Sequence, residues 1–110
     1  MNIYVGNNFT EIKINDYNVE FSDELLQHLY NNRNKIEINL DILFKIDPYS
    51  DTILEYKNVE KIYNICVLLI KSDVLREFYD YSEAIDTLNN FEYIAKLALL
   101  NKKGLVFIGD

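Results

Sequence analysis

The stretch EAIDTLNNFEYIAKLALLNKKGLVFI, Glu83 to Ile108, decides the fold class. Its first part is apolar at helical spacing. Projected at about 100° per residue, Ala84, Leu88, Phe91, Ala95, Ala98 and Leu99 share one face. Lys102 and Lys103 supply cations for the negative end of a helix, and Gly104 supplies a residue free to turn. Directly behind it, Leu105-Val106-Phe107-Ile108 is apolar at every position. A strand reads that way when both of its faces are covered. A helix over 83–102 that feeds a buried strand over 105–108 requires a sheet elsewhere in the chain to receive that strand.

The N-terminal segment is the expected source of that sheet. Asn2 to Val5 is one candidate strand. Phe9 to Ile14 and Tyr17 to Phe21 alternate apolar and polar residues around the turn-forming pair Asn15-Asp16, which predicts a hairpin. Ser22 precedes Asp23 and Glu24, an N-cap followed by acids that suit the positive end of a helix. Leu25, Leu26, Leu29 and Tyr30 give that helix an apolar side, and it ends near Asn31 to Asn34.

Residues 35–46 mix two periods. Ile36, Ile38 and Leu40 alternate, whereas Ile42, Leu43 and Ile46 are spaced as a helical turn. A brief extended piece, then a short helix from about Asp41 stopped before Pro48, fits both. Ile53 to Tyr56 reads as extended. Asn58 is the expected cap of a helix from Val59 to about Lys71, with Val59, Ile62, Tyr63, Cys66, Leu69 and Ile70 on its apolar face. Residues 72–82 read as a short helical turn or a loop. The expected fold is α+β in two layers. A small, mostly antiparallel sheet combines the N-terminal hairpin with the C-terminal strand, and the helices pack on one face.

Composition narrows the function classes. A chain of 110 residues with 3 Gly and 1 Pro has the size of one domain and little linker, so residues 1–110 are expected to form a single domain. The one cysteine, Cys66, has no internal disulfide partner, which favours a reducing, cytoplasmic location. Met1 to Gly6 lacks the charged and apolar series of a signal peptide. The longest apolar run, Ile65 to Ile70, is far short of the ~20 residues that span a membrane. Eighteen acids against 11 Lys and Arg give a formal charge of −7. Nucleic acid would be repelled, and a protein with a basic surface would be attracted.

Catalytic signatures are missing. One His and one Cys cannot build a zinc cage. Asp47, Asp51 and Asp110 match no calcium-loop spacing, and Asp47 and Asp51 read as turn acids that bond amides in their own turn. Cys66, in the middle of an apolar helix face, behaves as a small hydrophobe. His28 flanks a helix with nothing converging on it. There is no nucleophile elbow, phosphate-cradling loop or dinucleotide fingerprint. No enzyme, metal or cofactor is expected. Recognition is what remains: nine Tyr and six Phe are available, and Tyr49, Tyr56, Tyr79 and Tyr81 stand in or beside expected loops next to acids. The candidate partner-binding residues are Tyr49, Asp51, Glu55 and Tyr56.

Two segments carry a resemblance. Asp47-Pro48-Tyr49-Ser50-Asp51-Thr52 and Leu105-Val106-Phe107-Ile108-Gly109-Asp110 resemble a pattern in small bacterial proteins. There, an Asp-Pro-Tyr-Gly-Asp-Thr turn precedes two helices and a Phe-Ile-Gly-Asp ending closes the domain. Those proteins are immunity-like members of bacterial toxin systems. The resemblance runs from about Asp41 to Asp110. Ser50 stands where the pattern has Gly, and Leu54 to Lys57 depart from the Phe-Asn that follows the Thr. The resemblance implies a non-catalytic protein that neutralises a cognate toxin by binding it. The turn then either locks the helical half onto the sheet or places Tyr49 and its acids against the toxin. Two alternatives stand beside this reading. One is an interaction or regulatory subunit of another bacterial complex, including a homodimer. The other is a carboxylate-based enzyme or small-molecule binder.

Overall fold

The computed structural model describes residues 1–110. Nine elements follow one another: β1 (Asn2–Val5), β2 (Val19–Glu20), α1 (Asp23–Asn31), α2 (Asp41–Phe44), β3 (Thr52–Leu54), α3 (Tyr56–Ile70), α4 (Asp73–Arg76), α5 (Tyr81–Leu100) and β4 (Leu105–Ile108), with 3-10 turns at Phe9–Glu11 and Arg33–Lys35. The strands form one antiparallel sheet in the order β2-β1-β4-β3. The fold is α+β, as expected from the Glu83–Ile108 stretch.

Strand β4 is central, which explains its unbroken apolar run. Its register sets Val5 opposite Leu105, Tyr4 opposite Val106 and Ile3 opposite Phe107, while Leu54 and Thr52 face Leu105 and Phe107 from the other side. Alternate residues point to opposite faces. Ile3, Leu54, Leu105 and Phe107 join the helix-side core. Val106 points away from the helices, yet it is also fully buried. A methyl added at Gly6 would lie 3.3 Å from Ile12 and 3.4 Å from Val106, so the loop after β1 folds back over that face.

On the helix side, α3 packs along α5 and α5 lies across β1 and β2. Phe21, Phe91 and Phe107 meet edge to face at centroid distances of 5.8 and 6.3 Å. They tie the end of β2, the middle of α5 and β4 into one core of 26 buried residues. The Ser22 cap is present, its hydroxyl accepting from Leu25 N at 3.2 Å. The strand at 105–108 is buried and pairs with an N-terminal strand, β1, as expected.

Three local expectations are corrected. The first is the hairpin of 9–14 with 17–21. Phe9 to Ile14 forms no strand, and only Val19–Glu20 of the second segment does, paired with β1. The outer edge of β2 stays unpaired, so 9–14 joins the sheet neither there nor beside β1. The loop's side chains satisfy its backbone instead. Asn8 Oδ1 accepts from Thr10 N at 3.1 Å, Glu11 Oε2 from Asn7 N at 3.0 Å and Asp16 Oδ2 from Lys13 N at 2.8 Å.

The second concerns α3, which begins at Tyr56 rather than after Asn58, with Glu55 in the cap position and no side-chain cap. The third concerns the end of α5, which stops at Leu100 and turns through Lys102, a left-handed residue at φ 53°, rather than through Gly104. Lys103 N donates to Ala98 O at 2.9 Å and Lys102 N to Leu99 O at 3.2 Å, the pair of bonds that closes a helix C-terminus. Gly104 is needed for close approach: a methyl there would fall 2.2 Å from Leu54 O.

Candidate functional site

The two motif segments, far apart in sequence, are docked on each other. Asp47 Oδ1 accepts from Tyr49 N at 2.9 Å, and Asp47 O accepts from Ser50 N at 3.3 Å, which closes the turn from within. Asp51 reaches out of the turn, and its Oδ1 accepts from Gly109 N at 3.0 Å. Pro48 O accepts from Asp110 N at 2.9 Å. A methyl at Gly109 would lie 2.4 Å from Ser50 N and 2.6 Å from both Ser50 O and Tyr49 C, all backbone atoms that cannot swing aside. The turn therefore acts as a clasp between the start of β3 and the end of β4. Asp110 adds a salt bridge to the Met1 amino group at 3.2 Å, which also donates to Phe21 O.

The four sequence-derived candidates do not gather into one patch. Tyr49 is 68% exposed, and its phenol is held above the ordinary value chiefly by the Asp23 carboxylate beside it. It thus leans toward the start of α1. Asp51 and Glu55 stand at opposite ends of β3, about 13 Å apart for four residues of extended chain. Glu55 forms an ion pair with Lys57 at 3.5 Å. Tyr56, in the first turn of α3, is half-exposed.

A different surface concentrates the charge. Two depressions are lined by residues of segments 18–31 and 77–90. Glu20, Asp80, Glu83 and Asp86 line one; Asp23, Glu24 and Glu77 line the other; no Lys or Arg lines either. Seven of the eighteen acids of the chain therefore line these two depressions. Part of this has a local reason. Asp80 caps α5 by accepting from Glu83 N at 3.1 Å, and Glu83, Asp23 and Glu24 sit in the first turns of α5 and α1, where acids offset the helix dipole. Glu20, Glu77 and Asp86 have no such role, and only Glu77 meets a base, Lys35 at 3.7 Å.

Tyr79 lines the second depression and is 80% exposed. Its ring rests on Phe78 at 4.6 Å, and Phe78 in turn contacts His28 at 5.2 Å. His28 Nε2 lies 2.7 Å from Val74 O and donates to it, so α1 holds this small aromatic platform on α4. Sequence reading singled out Tyr79 only as one loop tyrosine among several. The acids of the two depressions come from β2, α1, the α4–α5 connection and α5, and no spacing in the chain links them.

The nucleophile candidates are structurally occupied. Cys66 is buried against α5, and desolvation pushes its thiol far above the ordinary range. No three His, Cys, Asp or Glu side chains gather in a metal-holding arrangement, and no helix is long and apolar enough to cross a membrane. Compared with family models, curated proteins and solved structures, the chain matches none.

Proposed function

We propose that this chain is an immunity protein that neutralises a cognate bacterial toxin by direct binding, with the acidic face around Tyr79 as its contact surface. The observation that carries the reading is the charge distribution: seven acids and no Lys or Arg line two depressions, and only one of those acids, Glu77, is paired with a base. Such a field attracts a basic partner and accelerates its encounter. Tyr79 offers a rigid aromatic anchor of the kind that dominates interface energetics. The resemblance of the Asp47–Thr52 turn and the Phe107–Asp110 ending to immunity-like proteins supports the class. Both motifs serve the clasp, which leaves recognition to surfaces free to vary with the toxin.

The experiment is co-expression with the product of the adjacent upstream gene, followed by purification and a growth assay. A stable complex and loss of toxicity are expected. Glu20→Lys combined with Asp86→Lys should slow association several-fold at low salt and lose that effect at high salt, since exposed charges are screened over about 8–10 Å. Tyr79→Ala should act mainly on dissociation. Failure to form a complex with that product, while another bacterial protein is bound through the same face, would favour the regulatory-subunit reading. Association rates flat in salt, with all variants like wild type, would remove the acidic face from the interface.

A further inference from the structure

Strand β3 is one of the two edges of the sheet, β2 being the other, and it pairs on one side only, with β4. The bond from Gly6 N to Gly104 O at 3.0 Å sets the direction of the backbone groups. In an antiparallel ladder alternate residues address opposite neighbours. Gly104, Val106 and Ile108 therefore address β1, and Leu105 and Phe107 address β3. Their partners Leu54 and Thr52 face inward. The N–H and C=O of Ile53 point out of the sheet, and no other group of the protein bonds to them. Most proteins cover or blunt such an edge.

A cleft of about 710 Å³ opens beside this edge, between α2 and α3. Ile38, Ile42, Ile46, Leu54 and Ile65 give it apolar walls. Lys45 and Lys61 also line it, and neither has a carboxylate within ion-pair distance. Asp41 is the one carboxylate in the lining, so the two lysines leave the cleft with a net positive charge in a protein of charge −7. Asp51 and Glu55 flank Ile53 with the same strand parity, on the opposite side from the cleft.

We propose that β3 is a docking edge for an extended segment of a partner protein, which adds to the sheet as a fifth strand. One face of that segment carries an apolar residue flanked by bases, set against Ile53, Asp51 and Glu55. Its other face enters the cleft with an apolar side chain and a carboxylate that reaches Lys45 and Lys61. Main-chain bonds to Ile53 supply affinity, and alternate side chains supply specificity. A second copy of this chain is the wrong occupant. Pairing Ile53 with its own counterpart would oppose Asp51 to Glu55 twice, and like charges directly opposite each other destabilise a strand pair. The inference holds for any protein partner and does not rest on that partner being a toxin.

The test is an NMR titration of isotope-labelled protein with the synthetic peptide acetyl-Thr-Lys-Val-Ile-Glu-Lys-Thr-amide. Shifts should concentrate at Asp51 to Glu55 and along the cleft, and the Ile53 amide should become protected from hydrogen exchange. N-methylation of the peptide's isoleucine should weaken binding about tenfold, by removing the bond to Ile53 O and crowding the edge. Ile53→Pro removes the outward N–H without touching the β4 ladder, and proline is tolerated at such edge positions. Lys45→Glu combined with Lys61→Glu gives a second variant that leaves the strand intact. It should weaken the peptide about tenfold with an unchanged melting temperature.

The proposal is overturned if no shifts appear at Asp51–Glu55 with millimolar peptide, or if the N-methylated peptide binds equally well. It is equally overturned if the free protein is a dimer with the Ile53 amide already protected. Glu20→Lys with Asp86→Lys should leave peptide binding unchanged, so failure of the edge and failure of the acidic face are told apart.

Discussion

Gly109→Ala tests whether the two motif segments form one lock. The new methyl would sit 2.4 Å from Ser50 N and 2.6 Å from Ser50 O, so the 108–110 segment must move away from the turn. Moving it breaks the bonds from Gly109 N to Asp51 Oδ1 and from Asp110 N to Pro48 O. A bond to a charged acceptor contributes about 1.5–3 kcal/mol and a neutral one about 1 kcal/mol. Asp51 and Asp110 are exposed, so water replaces part of what is lost. The expected destabilisation is about 2 kcal/mol. At roughly 4–8 °C per kcal/mol for a domain near this size, the melting temperature should fall by about 10 °C.

The assay is urea and thermal denaturation of wild type, Gly109→Ala, Asp51→Ala and the double variant. Because both single changes remove the same contact, the double should cost about 1 kcal/mol less than the sum. Gly109→Ala within about 0.5 kcal/mol of wild type, or strictly additive costs, would refute the clasp.

Other outcomes follow from single contacts. Phe107→Ala empties a fully buried site in the aromatic chain and should cost about 3–5 kcal/mol in urea titration; a loss below about 1 kcal/mol would put the ring outside the core. Lys102→Gly relieves the left-handed backbone that closes α5 and should stabilise by about 0.5–1 kcal/mol, and a destabilised variant would contradict that geometry. The Tyr49 phenol, raised chiefly by the Asp23 carboxylate beside it, favours the neutral form in the folded chain. That contribution is complete below the ordinary tyrosine value of 10.0 and is lost as pH rises through the higher folded value. Absorbance titration should therefore show Tyr49→Phe losing a late-ionising tyrosine and Asp23→Asn shifting that step to lower pH; identical curves would exclude the contact.

The regular elements were legible wherever one element's own period was at stake. Ala84, Leu88, Phe91, Ala95 and Ala98 mark α5 because burial along one face repeats with the helix. Ser22 marks the start of α1 because a cap needs only the residues beside it. The four apolar residues 105–108 announce a strand covered on both faces, and covering by Ile12 and by the helices bears that out. The Phe9–Ile14 alternation misled because it is weak and local. Alternation says nothing of whether a segment joins a sheet, and here the loop bonds its own side chains and leaves the outer edge of β2 unpaired.

What the sequence by itself determined is a chain with one buried helical pair, one central apolar strand, an acidic excess and no catalytic signature. Only the tertiary structure decided where these meet. It brought Asp51 to Gly109, across 58 residues, and made a clasp of two motifs that read separately as a turn and an ending. It gathered acids from β2, α1, the α4–α5 connection and α5 into two depressions, left β3 at an edge of the sheet, and assigned the left-handed turn to Lys102 rather than Gly104. The physical reason is range. Propensity, capping and periodicity act within a few residues and leave a local trace. Sheet order, close backbone approach and the summed field of a face depend on which distant segments the core brings together.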